Sequence, residues 1–329
     1  MAAILEHPLV REDPGSSEII RNVVQRGASN MKPRCGTGAE EMVLFFETRS
    51  NKMQGINPKL GKSFSRSFTE IPRIVSVTVT SDNDIYVLAE KSKAQMSLLL
   101  YNQMSGVWEQ KSSVEMLPGA LCHQHLLDLD GHLYYYSHSW TYPAQSQIII
   151  MKKYDRNTSE WQDCSQLKIN ISYIEPSVSN GCLYLLSSTE LHCYCPKEDR
   201  WFKRAPPTDC TDVFWSSIAL GNEIFHSDIY FNSVSVYDTE ADGWQELPGW
   251  ERALESRGRN YCAKLFVLGN QLHVFLDIKE QEHQHVLVYD RCEGVWRKLH
   301  VTFPDVDWDL PPVVARVNLP GVQERCANR

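Results

Sequence analysis

A tyrosine followed seven residues later by a tryptophan occurs five times in this chain, and that repetition constrains the fold more than any other feature. The segments read YNQMSGVW (Tyr101–Trp108), YDRNTSEW (Tyr154–Trp161), YCPKEDRW (Tyr194–Trp201), YDTEADGW (Tyr237–Trp244) and YDRCEGVW (Tyr289–Trp296). Successive tyrosines lie 53, 40, 43 and 52 residues apart. A period of ~40–50 residues points to a β-propeller, in which each repeat is one four-stranded blade. Such a disc offers a face built from loops, and loop faces bind things.

Each tyrosine closes an apolar alternating run, as in SLLLYN, SVSVYD and HVLVYD, and each tryptophan opens another, as in VWEQK and GWQEL. Turn formers such as Asp155, Asn157, Asp238 and Gly243 stand between them, so the segment predicts a hairpin of the two outer strands of a blade. The aromatic pair is expected to pack between neighbouring blades as scaffold. Upstream of every segment lies a second strand pair: 73–90, 123–138, 174–188, 216–228 and 262–277. Asp130-Gly131, Asn180-Gly181, Gly221-Asn222 and Gly269-Asn270 are two-residue hairpin turns. Two hairpins per repeat give five blades.

A sixth blade is degenerate. EMVLFFET (Glu41–Thr48), MQGINP and SFSRSF resemble its strands, with Ile56 and Phe64 standing roughly at the Tyr and Trp places. Its innermost strand is missing upstream. VVARVNL (Val313–Leu319) is a strand-like run after the last tryptophan. Entering the first blade, a strand over about 312–319 would close the ring and remove open edges.

The 329 residues give ample chain for a large core, and no apolar stretch approaches the ~20 residues of a membrane span. MAAILEHPLVRED has neither the basic leader nor the apolar core of a signal peptide. The ten cysteines follow no metal-ligand spacing, and they read as reduced thiols of a cytoplasmic protein, with access to the nucleus left open. Residues 1–73 carry 11 basic and 8 acidic side chains, leaving 22 and 33, a net −11, on the remainder. An acidic disc is a poor nucleic-acid binder. Glu280, Glu282, Asp305, Asp307 and Asp309 are its densest acidic loop positions, suited to steering a basic partner or simply to solvation.

The first forty residues differ in kind. SSEIIRNVVQR (Ser16–Arg26) predicts a short amphipathic helix capped by Asp13 or Ser16, with Ile19, Ile20, Val23 and Val24 on one face. This helix behind HPLVRED, then KPRCGTGAEEMVLFFET (Lys32–Thr48), then the YD…W segments and SDNDIYVLAE, resembles the kelch-repeat-and-BTB proteins over nearly the whole chain. The resemblance implies an all-β fold, a six-bladed kelch-type β-propeller with a short N-terminal helical segment. Residues 1–36 would be a remnant of the family's BACK helical domain and linker, 37–320 the propeller and 321–329 a tail. One departure is plain: the double glycine usual after the second strand is replaced by LAEKS, YYSHS, LSSTE, HSDIY and FLDIK. The other is the absence of a BTB domain, which in the family dimerises and holds cullin-3 while the propeller holds the substrate.

The resemblance places partners on the face formed by loops between second and third strands and between blades. Three of these loops carry residues that a connector does not need. SHSWTYPAQSQ offers Trp140 and Tyr142, DIYFN offers Tyr230 and Phe231, and WERALESRGR offers Arg252, Arg257 and Arg259 beside Trp250; Phe214 ends a further connection. Aromatics and arginines dominate binding hot spots. Long loops also fold aromatics beneath themselves as satellite cores, an equal alternative for Trp140 and Tyr142.

Catalysis finds little support. His123-x-His125 and His283-x-His285 each put two imidazoles on one strand face, but in different blades and without a Tyr/Cys partner signature. Neither a nucleophile elbow, a P-loop nor HExxH is present. The chain therefore reads as a non-catalytic, monomeric protein-binding module with no cofactor or metal, no nucleic-acid partner and no membrane contact. By the resemblance it is the substrate-recognition part of a cullin-3 ubiquitin-ligase adaptor. A cytoskeletal or trafficking scaffold that binds actin or another structural protein is the alternative, since both use the same surface chemistry.

Overall fold

The computed structural model describes residues 39–47, 52–68, 71–116, 122–139, 147–169, 175–187, 189–207, 214–228, 231–250, 261–278, 283–300 and 310–318. All regular structure among them is strand. The expected helix at 16–26 lies outside them. Contacts divide the chain into residues 1–40 with 318–320, and residues 41–317 with 321–329. The second of these units holds the propeller.

Six antiparallel sheets make six blades. Blade 1 holds β1 (Ala39–Glu47), β2 (Lys52–Asn57) and β3 (Lys62–Ser67). Blade 2 holds β4 (Ile74–Val79), β5 (Ile85–Ser92), β6 (Gln95–Asn102) and β7 (Val107–Glu115). Blade 3 holds β8 (Cys122–Leu129), β9 (His132–Ser139), β10 (Gln147–Asp155) and β11 (Glu160–Asp163). A fifth strand, β12 (Leu167–Ile169), continues its outer edge by pairing with the start of β10. Blade 4 comprises β13 (Glu175–Ser179), β14 (Cys182–Leu186), β15 (Leu191–Cys195) and β16 (Arg200–Arg204). Blade 5 comprises β17 (Phe214–Leu220), β18 (Glu223–Asp228), β19 (Ser233–Asp238) and β20 (Gly243–Pro248). Blade 6 comprises β21 (Tyr261–Leu268), β22 (Gln271–Ile278), β23 (His283–Asp290) and β24 (Val295–Leu299). The last strand, β25 (Val313–Asn318), is hydrogen-bonded to β1 and supplies the inner strand of blade 1.

The second strand of a blade is covered on both faces by neighbours, and in several blades it reads as an unbroken apolar run: β5 carries IYVLA, all buried, and β14 carries LYLL, all buried. Outer strands such as β3 and β11 are mostly exposed and polar. Five seams are apolar clusters that join successive blades. Leu88 and Leu98 meet Leu126 and Tyr135 between blades 2 and 3, and Tyr134 and Met151 meet Leu183 and Tyr194 between blades 3 and 4. Tyr184 and Cys193 meet Ile224 and Tyr237 between blades 4 and 5, Phe225 and Val236 meet Val274 and Leu287 between 5 and 6, and Phe266 and Phe275 meet Val43 and Phe45 between 6 and 1. The sixth seam is aromatic: Trp108 of blade 2 contacts Phe46 and Phe68 of blade 1, at 6.4 and 5.4 Å between ring centroids. The ring is therefore closed.

The repeated segment acts as a hairpin lock. In all five copies Tyr and Trp are direct cross-strand partners with ring centroids 5.0–5.1 Å apart. The Asp or Asn after the tyrosine caps the turn: Oδ1 of Asn102 accepts from the Met104 and Ser105 amides, and Asp238 does the same for Glu240 and Ala241. Two residues before the tryptophan the backbone is left-handed, at Gly106 (φ 72°), Ser159 (60°), Asp199 (49°), Asp242 (50°) and Gly294 (69°). Where that residue is aspartate its carboxylate takes the tyrosine O–H, at 2.6 Å for both Tyr194–Asp199 and Tyr237–Asp242.

Blade 1 keeps the turn and loses the aromatics. Asn57 caps it through the Lys59 and Leu60 amides, and Gly61 is left-handed. The register pairs Ile56 with Ser63, so Ile56 does occupy the tyrosine place, but Ser63 and not Phe64 occupies the tryptophan place. One residue of offset turns Phe64 to the other face, where it lies over Gly55. A Cβ at Gly55 would stand 1.9 Å from its ring.

Candidate functional site

The rim that carries the loops between second and third strands is formed by the strand ends at Ser92, Ser139, Leu186, Asp228 and Ile278. Of the residues expected to bind a partner, Trp140, Tyr142, Tyr230, Arg252, Arg257 and Arg259 lie outside the described residues, as do the acidic positions Glu280, Glu282, Asp305, Asp307 and Asp309. Phe214 opens β17 opposite Asp228. Phe231 corrects the expectation made for it. Its ring is fully buried, edge-on to Trp296 at 4.9 Å, within the seam between blades 5 and 6. The Asp228 carboxylate holds this corner by accepting from the Asn232 amide and side chain at 2.9 Å each. With φ 55° at residue 231, the chain reverses there and turns the ring inward. Trp250 is half-buried against the same cluster, edge-on to His285 at 5.7 Å.

At the same rim, blade 3 concentrates polar groups that its fold does not require. Its register sets His123 opposite His138 and His125 opposite Tyr136, so all four rings share the face turned toward blade 4. His123 and His138 stack at 5.1 Å, Tyr136 lies 5.3 Å from His138, and His125 lies 5.4 Å from Tyr136. Burial, reinforced by the neighbouring imidazoles, pushes His125 down to about 4 and His138 down to about 3. Burial alone lowers His123. These imidazoles are neutral at pH 7, each with one donor and one acceptor nitrogen.

Several buried atoms here have no hydrogen-bond partner among the described residues: Tyr136 Oη, His138 Nδ1, Ser137 Oγ and both amide atoms of Gln124. Gln124 and Ser137 are direct partners across β8 and β9, facing blade 2. An unsatisfied buried polar atom costs about 1–3 kcal/mol, and a cluster of them marks a place where water or a ligand completes the bonding. The chemistry on offer is neutral hydrogen bonding. Among the described residues no group of three or more His, Cys, Asp or Glu is placed to hold a metal ion.

The sequence showed His123 and His125 but missed His138, Tyr136 and Gln124. The signal was present in HQH (His123–His125) and YYYSH (Tyr134–His138), which flank the Asp130-Gly131 turn. Folding that hairpin about its turn brings the two motifs together.

A closed ring of six blades, five of them locked by Tyr–Trp hairpins, is a kelch-type β-propeller. In sequence the chain is similar to curated proteins that carry the kelch name. Kelch repeat and BTB domain-containing protein 2 is 22% identical in both Pongo abelii and Homo sapiens, over 85% and 89% of this chain and 51% and 54% of those proteins. Kelch repeat and BTB domain-containing protein 8 of Xenopus tropicalis is 24% identical over 88% of this chain and 52% of its own. The chain spans about half the length of these relatives. No protein-family profile matches it. A solved structure of YjhT superposes with a TM-score of 0.49 and 11% identity, covering 69% of this chain and 83% of that one. Among the described residues no helix is long and apolar enough to cross a membrane.

Proposed function

We propose that this kelch-like propeller is the substrate-holding part of a cullin-3 ubiquitin-ligase adaptor, with the partner seated on the rim of blades 3 to 6. The observation that carries this reading is the match to Kelch repeat and BTB domain-containing proteins along the repeat-bearing length of the chain. The unpartnered polar groups of blade 3, most of them on the strand that ends at Ser139 just before Trp140 in sequence, support the choice of rim. The mechanism is proximity: the propeller holds a protein while a ligase recruited through a BTB domain modifies it. The propeller has no catalytic part in that transfer, and cytoplasm is the compartment this reading implies.

The test is affinity purification from cells with quantitative mass spectrometry, comparing the wild-type chain with a Trp140→Ala, Arg252→Ala, Arg257→Ala variant. One or two proteins lost with the variant identify the face and its partner together; identical sets refute the chosen rim. After depletion of the protein, an adaptor's partner rises in abundance, whereas a scaffold's partner relocates at constant level. Direct binding of cullin-3 by the purified propeller would also overturn the assignment.

A further inference from the structure

Blade 4 carries three free thiols at one end, on the rim opposite the proposed partner face. Cys182 begins β14 directly after the Asn180-Gly181 turn, and Cys193 and Cys195 lie on β15. The register pairs Leu183 with Tyr194 and Tyr184 with Cys193, so the next step along the ladder sets Cys182 opposite Cys195. Cys182 is also the partner of Ser179 across the two-residue turn. Residues flanking such a turn exchange their backbone hydrogen bonds with each other. The N–H and C=O of Cys182 therefore point toward β13, which makes Cys182 and Cys195 a non-hydrogen-bonded pair. The same holds from the other strand, because the Cys195 carbonyl accepts from Glu198 in its own hairpin.

Directly opposed residues at such positions have Cα atoms ~4.5 Å apart and the closest cross-strand Cβ approach. That spacing falls at the short end of the ~4.4–6.8 Å range a disulfide spans. Cys182 and Cys195 are both partly buried and leave some surface to solvent, whereas Cys193 is buried.

We propose that Cys182 and Cys195 form an oxidisable dithiol that closes a cross-strand disulfide when a peroxide acts on it. In the first step the Cys195 sulfur attacks the peroxide, giving a sulfenic acid and water. In the second the Cys182 sulfur displaces the sulfenic hydroxyl as a second water, forming the S–S bond. The sum is two thiols and one hydrogen peroxide to one disulfide and two waters, and a dithiol reductant reverses it by exchange. Burial, followed by the neighbouring Cys193 and Cys195, holds the Cys182 thiol above its usual range. Cys182 therefore suits the second step, and closure is slow against the reaction of an activated thiol. A cross-strand disulfide at minimal spacing is strained and readily reduced, so the couple is reversible.

The test treats the reduced, purified chain with hydrogen peroxide, blocks remaining thiols with N-ethylmaleimide and cleaves after glutamate. Cleavage at Glu190 separates Cys182 from Cys193 and Cys195. The expected result is a linked peptide pair that lacks two hydrogens, joins Cys182 to Cys195 and disappears with dithiothreitol. Cys193→Ser keeps the link, and Cys182→Ser and Cys195→Ser each abolish it. Sulfinic acid on Cys195 without any linked pair in the wild-type chain, or a link from Cys182 to Cys193, overturns the proposal. The wild-type mapping decides the matter even if a serine variant folds poorly.

Discussion

The indole N–H of Trp244 in blade 5 donates to the backbone carbonyl of Ala205, 2.9 Å away at the end of blade 4. Trp201 reaches Ser165 and Trp296 reaches Pro248 in the same way, at 2.9 and 3.0 Å. Each bond ties a blade to the connection that leaves its predecessor. The tryptophan is thus both half of a hairpin lock and a strut to the neighbouring blade.

Trp244→Phe is expected to lower stability by about 1–2 kcal/mol beyond its packing loss, because the Ala205 carbonyl loses its donor. Trp161 provides the control: its indole N–H is buried with no partner among the described residues. Trp161→Phe deletes a donor that meets no acceptor among the described residues and should cost less. Urea midpoints of the two variants check the order; equal losses would show that the strut contributes nothing.

Stability should fall on mild acidification. Burial lowers His138 and His226 to about 3 and His273 to about 4, and all three are buried outright. Their folded values lie below the unfolded value, so the contribution is complete above pH ~6.5, and each histidine removes about 1.4 kcal/mol per pH unit below that. Asp242 adds a lower window. The Tyr237 hydroxyl and the Ala205 amide depress it, so its contribution is present above pH ~3.8 and is lost as the pH falls through its folded value. Chemical denaturation at pH 7.5, 6.0 and 5.0 reads the first window, and a flat profile would refute it.

Phe231→Ala should behave as a core mutation, costing about 3–5 kcal/mol through the cavity it leaves against Trp296. Thermal unfolding measures this. A variant that keeps wild-type stability yet loses partners would return Phe231 to the binding face.

Asn83 ties the closing strand to blade 2. Its side chain donates to the Arg316 carbonyl at 2.7 Å and accepts from the Arg316 amide at 2.6 Å, from a left-handed backbone at φ 65°. Asn83→Ala removes both bonds and strains the turn, whereas Asn83→Gly removes the bonds alone. Losses of about 2–3 and 1–2 kcal/mol are expected, read as denaturant midpoints.

The blades were legible because their signals are local. A Tyr–Trp register, an Asp or Asn cap and a two-residue turn each specify one hairpin without reference to the rest of the chain. Blade 1 was legible in outline, but the register of Phe64 was not, since without the aromatic pair nothing in the local sequence separates two registers one residue apart. The inward turn of Phe231 depends on the Asp228 carboxylate and on a Trp296 in another blade, which DIYFN alone does not reveal. The polar cluster of blade 3 needed both strands of a hairpin read against each other, whereas His123 and His125 were seen on one strand only.

Joining β25 to β1 places strands from the two ends of the described sequence in one blade. The seams among blades 2 to 6 can form as each blade leaves the ribosome, but blade 1 lacks its inner strand until Val313–Asn318 has been made. Among the described residues the longest-range pairing is therefore the last available, and it carries the largest loop-closure cost. A chain stopped before residue 313 would present β1 as an unpaired edge with apolar flanks, open to pairing with other chains. Synthesis of the final strand is thus a checkpoint between an aggregation-prone intermediate and a finished protein.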